Sequence, residues 1–578
     1  MAMKRLIRRL IDFVENEFQA QKEATLTIWN KSVEERLKDG EVIADIRIVE
    51  NHVTELEVVC KRNNSKFREG SRLRLHRGNP QAGFACEIVR DRGTSLTLKA
   101  GFRTAFWDVK GEGWLLDIDL IDTRRILIET LETLQHHTRM YASFHGMLKG
   151  DILPSATEAA LKRGQKLAEG IGFNDKQREA FVNAYASKPY YLVQGPPGTG
   201  KTWLLAHLAT SFAKEGKNVL ITGFTHRSIN NALRKIVQVT GYEEIAKIGQ
   251  KINATDLAWN GGKVSNYEYF YHSPYSLRDK GLILGGTCFA ARTRRLSQVS
   301  FDVIIFDEAG QMTLPLAFAG MMSGQKFIYI GDHKQMPPVI TAEHEDQNIT
   351  QSIFECLYKH APGTMLNTTY RMNAAINAFP SKHFYANGLK TFADNAYTQL
   401  HLKRMPKRLH NILDPKTPAL FVEIPHKKNT LRSKEEASLI VEIVEQLLYC
   451  GVPSEEIAVV AAFRAQGRLI RAMLRKELEG QYPKALDDIV VDTVERMQGQ
   501  EREVILISLI TSDPKYAARR AEFIFQPNRL NVALTRPKYK RIVLGSRYLF
   551  EAKPEGTVYQ GWLHTFRSFF LEEPKIHM

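Results

Sequence analysis

The chain has little that would mark it for an oxidising compartment or a membrane. Its 578 residues hold 5 cysteines, at positions 60, 86, 288, 356 and 450. None are close together, which argues against a zinc or iron–sulfur cluster and against a disulfide framework. No apolar run approaches the roughly 20 residues of a membrane-spanning helix. The first 18 residues are basic but lack a continuous apolar core, and Asp12, Glu15 and Glu17 speak against a transit peptide. Internal repeats and low-complexity tracts are also missing. These deficits predict a reducing, intracellular setting, the cytoplasm first and the nucleus as the alternative. Acidic charge is short as well: 64 Asp and Glu stand against 80 Lys and Arg, a net charge of +16 and a pI near 9.4. Such a balance suits either a polyanionic partner such as nucleic acid or a soluble basic protein without one.

Against this background one segment stands out, Gly195-Pro196-Pro197-Gly198-Thr199-Gly200-Lys201-Thr202. A triphosphate needs many backbone N–H donors unobstructed by side chains, a mobile cation for its β and γ phosphates, and a hydroxyl for magnesium. The glycines offer the first, Lys201 the second and Thr202 the third. The apolar run Tyr190–Val193 before the loop reads as a buried strand, and Trp203–Ala206 after it opens an amphipathic helix. ATP and Mg2+ are the cofactors expected.

The surrounding pattern divides the chain. Residues 1–38 follow helical spacing, with Ile7, Leu10, Ile11, Val14 and Phe18 on one face, until Asp39-Gly40 breaks it. Short alternating stretches from 39 to 121 predict a small β-barrel, and 122–170 returns to helical spacing, so the barrel is expected on a helical stalk. From 171 to 362 apolar strands alternate with helices, predicting a parallel sheet wrapped by helices. A polar, aromatic stretch at about 240–281 reads as an inserted subdomain. A second alternating series over 363–578 carries no phosphate loop. The fold class is therefore α/β, with two tandem parallel-sheet domains behind an amino-terminal barrel.

Phe301–Phe306 is a buried-strand run that delivers Asp307 and Glu308 to the carboxyl end of its strand, where open parallel sheets build their sites. Asp307 is placed to hold the magnesium and Glu308 to polarise the attacking water. The next strand leads to Gly331-Asp332-His333-Lys334-Gln335, from which Gln335 reaches the γ-phosphate and that water; His333 reads as structural.

Together with Tyr370-Arg371-Met372 and Asn531-Val532-Ala533-Leu534-Thr535-Arg536, these residues resemble the motifs of superfamily 1 helicases. More narrowly the chain is similar to the 5′-to-3′ branch that includes the nonsense-mediated-decay RNA helicase and the immunoglobulin mu-binding helicase. The likeness runs from about Phe173 to Arg547, and more loosely over the barrel. It implies two RecA-like domains. It further implies that Gln177 reads adenine, that Tyr370 stacks on the base, that Glu501 lies near the ribose, and that Arg371 and Arg536 are arginine fingers. Gln500 stands where an arginine is often found, and Thr369 where a glutamine often precedes the Tyr-Arg-Met.

By the same resemblance a single strand would cross both domains. Thr225, His226, Asn230, Thr287 and Pro338 are its candidate contacts on the first domain, with Thr493 and Arg496 on the second. Small hydroxyl and amide groups suit phosphate and sugar rather than bases. Basic clusters at Arg292–Arg295, Lys403–Arg408 and Lys538–Arg541 read either as steering surfaces or as ordinary solvated faces. The expectation is an ATP-dependent helicase or translocase moving 5′ to 3′ on single-stranded DNA or RNA and meeting duplex junctions, active as a monomer and off the membrane. No motif fixes a 2′-hydroxyl contact, so both nucleic acids stand. The rivals are a remodeller that separates no strands and a binding adaptor that uses ATP as a signal.

Overall fold

The computed structural model describes residues 2–578 except 64, 68, 102, 103, 251–253, 255 and 347. Helix Ala2–Trp29 buries Ile7, Leu10, Phe13 and Val14 against Leu131 and Leu134 of helix Arg124–His136. That cluster continues through Phe144 into Phe318 and Phe327, so the stalk is rooted in the core of the first α/β domain. A short second helix, Val33–Asp39, starts on a Ser32–Glu35 capping box and ends at Gly40, whose φ of 65° lets the chain reverse into the barrel.

Among the described residues the barrel is closed and antiparallel. Its strands run in the order Val42–Asn51, Glu55–Val59, Ser95–Ala100, Phe84–Asp91, Arg72–His76 and Trp114–Ile118, the last pairing back onto the first. Alternation decides which side chains face in: Ile46, Leu56, Val58, Leu73, Leu75, Ile88, Leu98 and Leu116 fill the interior. Closure leaves the barrel no open edge.

The first sheet is parallel throughout. Its strands are ordered Ser265–Tyr267, Ile245–Ile248, Ile283–Gly285, Val219–Gly223, Phe301–Asp307, Gly324–Gly331, Tyr190–Gln194 and Thr364–Met365. Helices cover both faces, so strands such as Val219–Gly223 are buried along their whole length. Two details differ from the sequence reading. The sheet takes in Thr364–Met365, just past the expected boundary at 362. The stretch at 240–281 is not a separate subdomain, because it contributes two parallel strands to the sheet's outer edge and a small hairpin, Ala258–Trp259 with Gly262–Lys263. Its residues 251–253 and 255 lie outside the described residues.

The second sheet is also parallel, ordered Val490–Thr493, Ile457–Ala461, Arg502–Ser508, Pro537–Gly545, Ala419–Glu423 and Lys575–His577. Its edge strand at 575–577 escapes the sequence pattern because three residues are too short to alternate. Two RecA-like parallel-sheet domains, with a barrel on a helical stalk, make the architecture α/β as expected. No described helix is long and apolar enough to cross a membrane.

Candidate nucleotide site and nucleic-acid interface

The phosphate loop joins strand Tyr190–Gln194 to helix Lys201–Lys214 and is tied to its neighbour by Gly195 N donating to Gly331 O at 2.9 Å. Lys201 Nζ folds back onto Gly195 O at 2.6 Å, and Thr199 Oγ1 donates to Pro196 O at 2.8 Å. Glycine is required where the second domain presses on the loop. At Gly198, with φ of +73°, a Cβ would stand 2.5 Å from Arg371 Cβ and 2.6 Å from Thr369 Oγ1.

Gln177 is buried at the start of helix Asp175–Ala186, where its side chain completes a capping box with Asn174. Gln177 Oε1 accepts from Asn174 N at 3.1 Å, and Nε2 donates to Thr199 O at 3.0 Å, so both ends of the amide brace the loop. Tyr370 is half exposed; its hydroxyl accepts from Asn174 Nδ2 at 2.8 Å and its backbone N donates to Gly198 O at 2.8 Å. The two residues expected around the base therefore sit side by side at the loop's rim.

Asp307 ends its strand in register with Gly223, and burial together with the neighbouring Glu308 charge pushes its carboxyl up to about 7, with Lys201 opposing. Glu308 adopts a left-handed φ of 54°, which turns the chain away from the strand. Its Oε2 faces Gln498 of the second domain, whose Nε2 lies 3.4 Å away. Gln335 is buried, donating from Nε2 to Asp332 Oδ2 at 2.8 Å; Asp332 also accepts from the Tyr385 hydroxyl at 2.7 Å. His333 packs its ring against Tyr358 at 4.4 Å, the structural place expected of it.

From the second domain, Arg371 Nε donates to Glu501 Oε2 at 2.6 Å, and Arg371 Nη1 to Thr535 O at 3.1 Å. Burial raises the Glu501 carboxyl, but the charge and hydrogen bond of Arg371 outweigh it and hold the group below its ordinary value. Arg536 is almost wholly buried, bonded to Val532 O, Gln500 O and Gln335 Oε1. Burial, and then the adjacent Arg371 charge, press its guanidinium down to about 9. Two neighbouring guanidiniums, one of them from a residue packed against the glycine loop at Gly198, are the donor type that recognises phosphate. The Thr202 hydroxyl and the Asp307 carboxylate supply hard oxygen donors of the kind magnesium takes.

The expected nucleic-acid contacts fall into two groups. Thr225 is exposed and caps helix His226–Thr240, accepting from Ser228 N at 3.1 Å; Thr287 caps helix Cys288–Ala291 through Ala290 N at 3.1 Å. Thr493 and Arg496 line a cleft with Ser65 and Lys66 of the barrel and Arg464, Arg468 and Arg471 of helix Arg464–Leu478. Asn230 and Pro338, by contrast, are buried. Asn230 Oδ1 accepts from the fully buried Lys247 Nζ at 2.6 Å, an arrangement in which the amide holds a lysine beneath the surface. Desolvation brings Lys247 down to about 7, and burial, Lys247, Arg72 and Arg295 bring His226 down to about 4.

Of the basic clusters, Lys538–Arg541 is not a steering surface. Lys540 donates to Asp414 O and Thr417 O at 2.8 and 2.6 Å, Arg541 is buried against Glu573, and Lys538 stands near Glu456 and Glu501. Sequence reasoning assigned no role to Gln498, Tyr385, Asn528 or Asn531. Asn528 Nδ2 donates to His333 O and Gln335 O, and Asn531 Nδ2 to Lys334 O and the Tyr385 hydroxyl. Asn531 opens the motif ending in Arg536, which was the one signal that pointed to it.

Residues 172–256 and 276–343 match a family model described as an AAA domain, and residues 349–548 match a second AAA domain model. The chain is 27% identical over 419 residues to the DNA replication ATP-dependent helicase/nuclease DNA2 of Saccharomyces cerevisiae, covering 68% of this chain and 27% of that protein. Against the protein of the same name from Mus musculus the identity is 28% over 423 residues, covering 67% and 38%. Against JHS1 of Arabidopsis thaliana it is 27% over 399 residues, covering 66% and 29%. The chain thus spans well under half the length of these relatives. Among solved structures, the arterivirus nonstructural protein 10 helicase aligns with 89% of this chain and 80% of its own, at 14% identity and a TM-score of 0.38.

Proposed function

We propose, from a chain whose two parallel-sheet domains are AAA domains of the superfamily 1 helicase kind, that it hydrolyses ATP to move 5′ to 3′ along single-stranded DNA or RNA and separates duplexes ahead of it. The observation that carries this reading is that the second domain closes on the first at two points of the candidate site: Tyr370 N donates to Gly198 O of the glycine loop at 2.8 Å with Arg371 packed against the same glycine, and Arg536 Nη2 lies 3.4 Å from Gln335 Oε1. We place the chain in the 5′-to-3′ branch, alongside the DNA2 proteins it is similar to and the decay and immunoglobulin mu-binding helicases its motifs resemble.

In this reading the triphosphate lies on the N–H groups of Gly195–Thr202, and Lys201 exchanges Gly195 O for the β and γ phosphates. Thr202 and Asp307 hold magnesium, which when bound supplies charge neutralisation at the phosphate oxygens. Glu308 accepts the proton of the attacking water, Gln335 orients that water, and Arg371 with Arg536 stabilises the charge that develops on the transferred group. Gln177 and Tyr370 flank the adenine, with the Gln177 amide turning from Thr199 O to the base, and Glu501 lies toward the ribose. Both halves of the site come from one chain, which supports action as a monomer.

Nucleotide favours the closed pairing of the domains only through contacts made better there, and Lys201 on one side with the two arginines on the other supply them. A strand held by Thr225, His226 and Thr287 on the first domain and by Thr493 and Arg496 on the second would then be gripped alternately. Asn230 supports that surface through Lys247, and Pro338 stiffens the loop beneath it.

The test is ATPase activity titrated with single-stranded DNA and RNA of equal length, followed by unwinding of duplexes bearing a 5′ overhang, a 3′ overhang or none. Stimulation by single strands with unwinding only from the 5′ overhang is the expected result. Stimulation without strand separation would point to the remodeller, and ATPase indifferent to single strands to the adaptor.

A further inference from the structure

Resting on that single-strand reading, we propose that Tyr269, Tyr271 and His272 form a stacking platform for unpaired nucleobases at the outer edge of the first parallel sheet. Strand Ser265–Tyr267 is the outermost of that sheet and runs parallel to its neighbours, so the residues after it emerge at the same carboxyl edge as Thr225 and Thr287. Residues 257–275 fall between the two segments matched by the first AAA domain model. The platform thus lies outside the segments that model matches.

The three rings are gathered into one surface. Tyr269 and Tyr271 stack with centroids 5.2 Å apart and planes at 22°, and His272 meets Tyr271 edge-on at 4.4 Å. Tyr271 is 68% exposed, while its neighbour Phe270 is buried and anchors the turn, its N donating to Arg295 O at 3.1 Å. The rings thus present a contiguous aromatic face whose outermost member, Tyr271, stands in solvent.

Charge selects the occupant. The Arg295 guanidinium lies 5.4 Å from the Tyr269 ring centre, Arg294 is exposed beside it, and Arg295 also pairs with Glu268 at 3.4 Å. Arg295, with Arg72 of the barrel and Lys247, is near enough to depress the His226 imidazole, so the arginine beside the platform neighbours a candidate strand contact. Flat apolar faces flanked by arginines fit a polyanion that carries π surfaces, and every base has one. Three strand spacings separate Val219–Gly223 from Ser265–Tyr267, about 14 Å. A strand seated at Thr225 and Thr287 therefore needs no more than about four further nucleotides, at the ~3.4 Å rise of a stacked strand, to reach the rings.

The experiment is fluorescence anisotropy of the full chain with oligo-dT, oligo-U and an abasic DNA oligomer of the same length, over a salt series. Tyr271→Ala and the double variant Tyr271→Ala/His272→Ala are expected to bind oligo-dT, oligo-U or both about five- to a hundredfold more weakly. Tyr271→Phe should bind as the wild type does, and binding of the abasic oligomer should be unaffected by any of these changes. The slope of log affinity on log salt should stay the same in the tyrosine variants and fall by about one in Arg294→Ala. Tyr271 is exposed, so unchanged melting temperatures will establish that the variants are folded. If wild type binds single strands and Tyr271→Ala binds them equally well, or loses abasic and base-bearing oligomers alike, the platform is overturned while the single-strand reading stands. If wild type binds no single strand, both fall together.

Discussion

Arg536 of the second α/β domain lies with its Nη2 3.4 Å from Gln335 Oε1 of the first, although 201 residues separate them in the chain. In the proposed mechanism the contact links the residue that stabilises the γ-phosphate with the one that orients water, so both domains would contribute to one catalytic surface. Arg536→Ala is expected to lower ATP turnover by about 10³-fold or more while ATP binding changes far less. Arg536→Lys should not restore turnover, because an ammonium cannot reproduce the guanidinium fork. Single-turnover hydrolysis beside equilibrium nucleotide binding separates the two effects. A melting curve controls for the hydrogen bonds Arg536 makes to Val532 and Gln500.

Lys201→Ala should abolish hydrolysis and leave binding of single strands largely intact, as measured by steady-state ATPase and filter binding. Persistence of wild-type hydrolysis would contradict the assignment of the loop. Gly198→Ala tests the same loop by shape instead of charge. Its Cβ would enter the space of Arg371 and Thr369 from a left-handed backbone that costs an L-residue about 1–2 kcal/mol. A folded variant with ATP turnover reduced at least as far as in Arg371→Ala is the expected outcome.

The Asp307 carboxyl is raised from 3.8 to about 7 by burial and by Glu308. A raised folded-state value means that the folded protein keeps a proton the unfolded chain gives up. This group's contribution to stability is therefore fully present below the unfolded value and is lost as pH rises through the folded one. Without nucleotide, melting temperature should decline between about pH 4 and 7 more steeply in wild type than in Asp307→Asn. Magnesium requires the carboxylate, so the magnesium concentration for half-maximal ATPase should rise as pH falls below 7. A flat magnesium requirement over that range would remove Asp307 as a ligand.

Glu17, on the stalk helix, accepts from Thr341 N at 2.8 Å and Ala342 N at 3.0 Å and contacts His344 Nε2 at 2.7 Å. Those residues follow Gln335 and Pro337-Pro338, so the stalk grips the loop that leads away from Gln335. Hydrogen bonds to a charged group contribute about 1.5–3 kcal/mol each, and Glu17→Ala should lower stability by an amount of that order. Strand-stimulated ATPase should survive while unwinding falls, because the barrel is carried on the helix that has lost its hold. Parallel ATPase and unwinding assays, with denaturant melts, measure all three.

Much of the fold lies in local pattern. Runs such as Val219–Gly223 and Phe301–Asp307 are apolar along their length because helices cover both sheet faces, and that burial is visible without coordinates. The outer strands Ile245–Ile248 and Ser265–Tyr267 were hidden by their length and by Lys247, a charge on a strand that its contacts with Asn230 and His226 accommodate. Lys540 and Arg541 mislead for the opposite reason, since a basic residue announces its charge and not its burial.

The sequence alone determined the phosphate cradle, because Gly195–Thr202 forms its donors from consecutive backbone groups, and it determined the alternation that builds two parallel sheets. Tertiary structure decided everything that depends on long-range approach: Arg371 against Glu501, Gln498 against Glu308, the stalk's Glu17 on the loop at 341–344, and the rings of Tyr269 and Tyr271 beside Arg295. Their partners lie far apart in the chain or on a turn with no periodicity, and packing of whole domains sets their distances. Periodicity reports which face of an element is buried, and only the assembled core reports what that face meets.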